Sequence, residues 1–222
     1  MKKIFTFFFY WISLILFTQE LPKGFSYIKD IAPSIQQELR YCYTNNFVGT
    51  SVEGYEEPIL ITSTKAALAL KKVQDQLIKK GLSLKIFDAY RPQRAVNHFG
   101  RWARTPKDTL TKQQFYPKLN KRNLFKLGYI SSRSGHSRGS SIDLTIVNLK
   151  TNKELDMGGP YDFFGKVSHV FYKNITKKQK ENRMLLRNVM LANGFKPYSY
   201  EWWHFTLRNE PFPKTYFDFP IK

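Results

Sequence analysis

The run SRSGHSRGSSIDLTI (residues 132–146) sets His136 between two glycines and follows it seven positions later with Asp143, inside an alternating apolar stretch. A loop histidine and a solvent-facing strand aspartate would account for the pair without chemistry. Shared ligation of one metal ion would also account for it, and that reading demands a second histidine and a free carboxylate elsewhere. Residues 201–204, Glu-Trp-Trp-His, supply both. A zinc hydrolase uses three protein ligands, keeps a fourth position for water, and needs an unligated carboxylate to take the water's proton. His136, Asp143 and His204 make the three, and Glu201 makes the base. Cys42 is the sole cysteine, so neither an intramolecular disulfide nor a thiolate cluster competes with this site. Nothing near Cys42 in sequence activates it, and it reads as a small buried apolar residue.

These residues need particular supports. Gly135 and Gly139 allow a tight loop around His136. From Ser140 onward, Ile142, Leu144 and Ile146 share one strand face while Asp143 and Thr145 share the other. Residues 200–207 also alternate as a strand. On a regular strand, however, positions three apart face opposite ways, so Glu201 joins His204 only if the backbone is irregular near residues 200–202.

Upstream, residues 61–81 read as a helix with a hydroxyl-rich start, a stripe of Ala66, Leu70, Val73 and Leu77, and a terminal glycine. Residues 83–89 then alternate as a strand, and Pro92 opens a second helix through residue 103. Asp88 and Arg91 therefore sit at a strand-to-helix junction, where an ion pair bracing Asp88 is the plain reading of Arg91. Residues 104–131 are basic with few apolar positions in register, an irregular excursion suited to a lid. A third helix covers residues 177–192. His98 and His169 have no partner motif and read as structural. Helices with short non-adjacent strands predict an α+β fold, helices packed on a mainly antiparallel sheet.

With 222 residues and 42% hydrophobic content the chain fills one core rather than two. Its formal charge of +19 favours anionic surroundings such as a cell envelope. The basic residues are dispersed, without the arms or Arg-aromatic repeats of a nucleic-acid binder, so no nucleic-acid partner is expected. At the start, Lys2 and Lys3 precede an uncharged apolar stretch, residues 4–17, shorter than the roughly 20 residues of a membrane span. Residues 1–19 thus read as a signal peptide, and export to a periplasmic or other external compartment is expected. No Ala-x-Ala site occurs near residues 16–20, which leaves an uncleaved anchor as the alternative.

The motifs S-G-H-S-R-G-S-S-I-D, D-A-Y-R-P and E-W-W-H resemble the zinc D-alanyl-D-alanine dipeptidases, within a superfamily of D-Ala-D-Ala peptidases that shares its fold with the hedgehog signalling domain. The likeness runs from about Tyr41 to Leu207, and R-Y-C-Y-T-N-N-F-V-G, V-E-G-Y and M-G-G-P-Y-D-F-F resemble the dipeptidase branch in particular. The resemblance implies one zinc-dependent dipeptidase domain over residues 20–222, with His136, Asp143 and His204 on zinc and Glu201 as base and then acid. It implies Arg91 on the oxyanion, and Tyr41, Tyr55, Ser134 and Asp162 around a small dipeptide pocket, with Asp162 facing the substrate ammonium. Ser141 departs from the motif, which usually has alanine there. The implied reaction is hydrolysis of D-Ala-D-Ala, and the expected export points to cell-wall fragment turnover as its setting. The rivals are a D,D- or L,D-carboxypeptidase trimming peptidoglycan stems and a non-catalytic zinc-containing binding module.

Overall fold

The computed structural model describes residues 20–222; the leader read from residues 1–19 lies outside them. In chain order the elements are β1 (Phe25–Tyr27), α1 (Ile28–Ile31), β2 (Gln36–Gln37), β3 (Ile61–Ser63), α2 (Thr64–Ile78), β4 (Leu82–Asp88), α3 (Gln93–Ala103), α4 (Lys112–Phe115), β5 (Ser141–Asn148), α5 (Lys177–Ala192), β6 (Phe195–Tyr198) and β7 (Glu201–Leu207). Five strands form a sheet in the order β2-β4-β5-β7-β6, and β1 and β3 form a separate two-stranded one. Only the β2–β4 pairing is parallel. The fold is α+β with one core, as the pattern of elements predicts.

The expected helix of residues 61–81 begins later. Ile61–Ser63 pairs with Phe25–Tyr27 instead, and Ser63 then caps α2 by accepting from the Ala66 amide. Ala66, Leu70, Val73 and Leu77 are buried, at roughly 1.5–3 kcal/mol for each of the larger side chains. Gly81, with φ +69°, turns the chain into β4. Helix α5 has the expected bounds, opened by a capping box of Thr176 and Gln179. Pro92 stands just before α3 rather than in its first turn. Among the described residues no helix is long and apolar enough to cross a membrane.

Residues 104–131 are less irregular than their sequence implies. Phe115, Tyr116, Leu124 and Ile130 are buried, Tyr116 packs edge-on against Trp102, and the Lys121 ammonium lies 3.9 Å from the Trp102 ring centre. Single, unevenly spaced apolar anchors hold the segment, which is why no apolar period announced it. The C-terminal tail is a second unannounced support. Phe219 stacks on Tyr90 at 4.1 Å, the Phe217 amide donates to Ser137 O, and the Phe217 carbonyl accepts from the Gln93 amide. The tail thereby ties the start of α3 to the turn that carries His136.

Candidate metal centre

Asp88, Asp143 and His204 are successive cross-strand neighbours on β4, β5 and β7, so antiparallel register sets them in one row across the sheet. Directly opposed residues of such strands have Cβ atoms about 4.5–5.5 Å apart, close enough for short side chains to meet. A β-irregularity between Ile86 and Asp88 brings the β4 residue into that row. His136 arrives from outside the sheet on a 3₁₀ turn, Gly135–Arg138, whose amide at His136 is accepted by the Ser134 hydroxyl and which ends at left-handed Gly139 (φ +77°). The tight turn is what the sequence assigned to the flanking glycines, whereas the Ser134 cap was not read from it.

The convergence is tight. His204 Nδ1 lies 3.0 Å from Asp143 Oδ1 and 3.1 Å from His136 Nε2, and His136 Nε2 lies 3.3 Å from Asp143 Oδ1. Ligand atoms at about 2.0–2.2 Å from a tetrahedral ion stand roughly 3.3–3.6 Å apart, so this triangle is a slightly contracted face of such a site. The rings are oriented for it as well: His136 Nδ1 donates to Ala89 O at 2.7 Å, which aims Nε2 inward. Three lone-pair donors then face one point, an arrangement that a cation satisfies and that neutral rings alone do not. Burial pushes the pKa of His204 down, but its bond to Asp143 outweighs this and raises it, so a proton competes for the place a metal would take. Burial also opposes ionisation of Asp143, yet the charge and bonds of His136 and His204 hold it far below the usual carboxylate range. The donor set fits a divalent metal.

Glu201 joins this centre although it is three residues from His204, with Oε2 3.8 Å from His204 Nδ1. The required irregularity exists and lies just after Glu201: Pro197 pairs with Phe205 and Tyr198 with Glu201, leaving residues 202–204 of β7 without partners on β6. Burial, with the Asp143 charge adding to it, pushes Glu201 up to about 7 against the pull of His204 and Arg91. A carboxylate so poised can accept a proton near neutral pH.

Arg91 faces the same space from the end of β4. Its Nε donates to Asp88 Oδ2 at 2.9 Å, a second nitrogen stands 2.8 Å from that oxygen, and the guanidinium lies 3.6 Å from Asp143 Oδ2. The plain ion-pair reading is therefore correct, and the pair is also what fixes Arg91 in the cavity wall. Asp88 was not singled out as a site residue in the sequence, yet it is fully buried and touches Arg91, Tyr55 and, at 3.5 Å, His136 Nδ1. The signal was present in D-A-Y-R-P.

A cavity of about 330 Å³ opens over the triad, at the small end of the range for ligand pockets. Tyr41, Arg91, Ser134, His136, Asp143, Asp162, Glu201 and His204 all line it, as does the end of the 104–131 excursion at residues 128–131. The end of that excursion thus forms part of the cavity wall. Asp162, in the left-handed region at φ 62°, accepts from the Tyr41 hydroxyl at 2.8 Å. Burial first, and the Asp143 charge second, push its carboxyl well above the usual range. Tyr161, which the sequence reading passed over, links this end to the metal centre, its hydroxyl 3.3 Å from both Tyr41 Oη and Asp143 Oδ2.

Tyr55 corrects the expectation that it shapes the pocket. It does not line the cavity, and its hydroxyl donates to Asp88 Oδ1 at 2.8 Å from behind, where it braces the Asp88–Arg91 pair. Cys42 is half-buried beside the core and donates to Glu57 O, with its thiol pushed up to about 12 by burial, so it is not a thiolate nucleophile. His98 and His169 stand apart from the centre, the first accepting from the Glu53 amide and the second packed edge-on against Tyr200.

The family described as D-Ala-D-Ala dipeptidase matches residues 22–222. The chain is 40% identical over 199 residues to the D-alanyl-D-alanine dipeptidase of Enterococcus faecium, covering 90% of this chain and 98% of that one. It is 39% identical over 197 residues to the D-alanyl-D-alanine dipeptidase of Streptomyces coelicolor, covering 89% and 98%. To that of Escherichia coli it is 32% identical over 177 residues, covering 80% and 81%. A match over nearly the whole described chain, on a centre built from two histidines and an aspartate, leaves one conclusion: the chain belongs to the D-Ala-D-Ala dipeptidase family of metallopeptidases.

Proposed function

We propose that this protein hydrolyses free D-Ala-D-Ala to two D-alanines with one zinc ion held by His136, Asp143 and His204. The observation that carries the substrate class is the buried Asp162 carboxyl at one end of a small cavity whose other groups are the triad, Glu201 and Arg91. A zinc ion held by these three residues would supply the acidity that lowers the pKa of a water molecule and the polarisation of the scissile carbonyl. Glu201 takes the water's proton and returns it to the leaving amine. The Arg91 guanidinium, fixed by Asp88, neutralises charge growing on the carbonyl oxygen. Asp162 receives the substrate's free ammonium, and Tyr41 and Ser134 bound the space around it.

The apolar stretch behind Lys2 and Lys3 supports action outside the inner membrane. There the enzyme would turn over cell-wall fragments, and its basic surface would favour the anionic envelope. The test joins metal analysis of the purified protein to a panel of D,D-, L,D- and L,L-dipeptides and stem-length peptides. One zinc per chain and preference for free D-Ala-D-Ala are expected. Efficient cleavage of stem-length peptides would replace the dipeptidase reading with a carboxypeptidase one.

A further inference from the structure

Ser141, the departure from the dipeptidase motif, lies beside the metal centre. The row of Asp143 and His204 has a neighbour on the same face of the β5–β7 ladder, the cross-strand pair Ser141 and Thr206. Their hydroxyl oxygens are 2.7 Å apart, and Thr206 Oγ1 is 3.3 Å from His204 Nε2, the nitrogen that points away from the triad. Ser141 is fully buried, and a Cβ placed on Gly135 would come within 2.5 Å of its Oγ. The hydroxyl is therefore clamped between the turn that carries His136 and the strand that carries His204.

We propose that the Ser141–Thr206 hydroxyl pair positions His204 for metal, with Thr206 Oγ1 accepting from Nε2 so that the ring is fixed with Nδ1 towards the centre. This rests on the metal reading above. The argument is one of hydrogen-bond polarity. His136 has its tautomer set by a carbonyl, Ala89 O, which can only accept. His204 has no carbonyl partner on Nε2 and faces a hydroxyl, which can either accept or donate. Thr206 accepts from Nε2 when its own hydrogen is committed elsewhere, and Ser141 Oγ supplies that commitment. If Ser141 is removed, the Thr206 hydrogen is free to turn towards Nε2. A donor facing Nε2 disfavours the Nε2–H tautomer that leaves Nδ1 open to a metal, and the ring loses the contact that fixes its orientation.

The test compares Ser141→Ala, Thr206→Val, Thr206→Ser and the double variant Ser141→Ala/Thr206→Val with the wild-type protein. Zinc affinity is read by competition with a chromophoric chelator, and the zinc-bound His204 ring by imidazole nitrogen NMR. Groups that orient a metal-bound histidine typically contribute about 10- to 100-fold in affinity, so Thr206→Val should weaken zinc binding by that much and Ser141→Ala by about tenfold. Thr206→Ser should restore affinity, and the double variant should bind no more weakly than Thr206→Val alone. The His204 ring signals of the zinc-bound protein should shift in Ser141→Ala and in Thr206→Val, because the acceptor at Nε2 is lost or reoriented. Folded Ser141→Ala and Thr206→Val proteins with wild-type zinc affinity and unchanged ring signals would overturn the proposal. Wild-type protein that binds no zinc would instead overturn the metal reading, and this inference with it.

Discussion

Glu201→Gln is expected to keep its zinc and to lose at least about 10²-fold in kcat, the lower bound for removing a general base. Glutamine preserves the size of the side chain at the β7 irregularity, and Glu201 is not one of the three converging donors, so metal content should not change. The pH profile gives the claim a second edge. Burial places the carboxyl at about 7 in the metal-free protein, and a cation close by would draw it lower. The group works ionised, so kcat/KM should rise with pH through a limb lying below about 7, between that value and the ordinary 4.5 of a glutamate. The limb belongs to Glu201 and should vanish in Glu201→Gln, leaving only a low, flat rate there. A variant with full zinc and wild-type turnover would remove Glu201 from the chemistry, and a limb that persists in the variant would assign it to another group.

What could be read in advance depended on whether a residue's role had a local signature. Asp143 and the strand around it were legible because side chains alternate with period two, and His136 because glycines bracket it. The irregular backbone beside Glu201 was inferable from spacing alone, since three residues along a strand must otherwise face opposite ways. Its position after Glu201 was not, because that depends on how β6 ends at Tyr198. Asp88 was visible as part of a junction, but its reach to Arg91, Tyr55 and His136 depends on the register of three strands separated widely in sequence. Tyr55, which the resemblance implied at the pocket, instead reaches Asp88 from a loop whose course no local pattern gives. Strands of three residues such as β1 and β3 are too short for any period to register. The C-terminal tail, which packs Phe217 and Phe219 against Phe25 and Tyr90, has no period either.

Acetylating the amine of D-Ala-D-Ala should lower kcat/KM by about 10- to 10²-fold, because a hydrogen bond to a charged partner contributes about 1.5–3 kcal/mol and each 1.4 kcal/mol is a decade. The burial of Asp162 sets both the size and the limit of the effect. Burial and the nearby Asp143 push its carboxyl upward, towards the neutral form, and an arriving ammonium draws it back to the carboxylate. An acetylated substrate brings no such charge and leaves the carboxyl shifted towards its neutral form. The enzyme thus forfeits the charge-assisted contact without also burying an unpaired charge, which would cost several kcal/mol more. Asp162→Asn tests the assignment, since an amide cannot answer an ammonium with charge but still accepts from the Tyr41 hydroxyl as Asp162 does now. In that variant the ratio of rates for free and acetylated dipeptide should collapse towards one, mainly through loss on the free substrate. Should wild-type enzyme cleave both substrates equally, the ammonium contact does not exist and the cavity is open at that end to longer peptides. If the ratio survives in Asp162→Asn, discrimination comes from other residues of the cavity and Asp162 is not the partner of the ammonium.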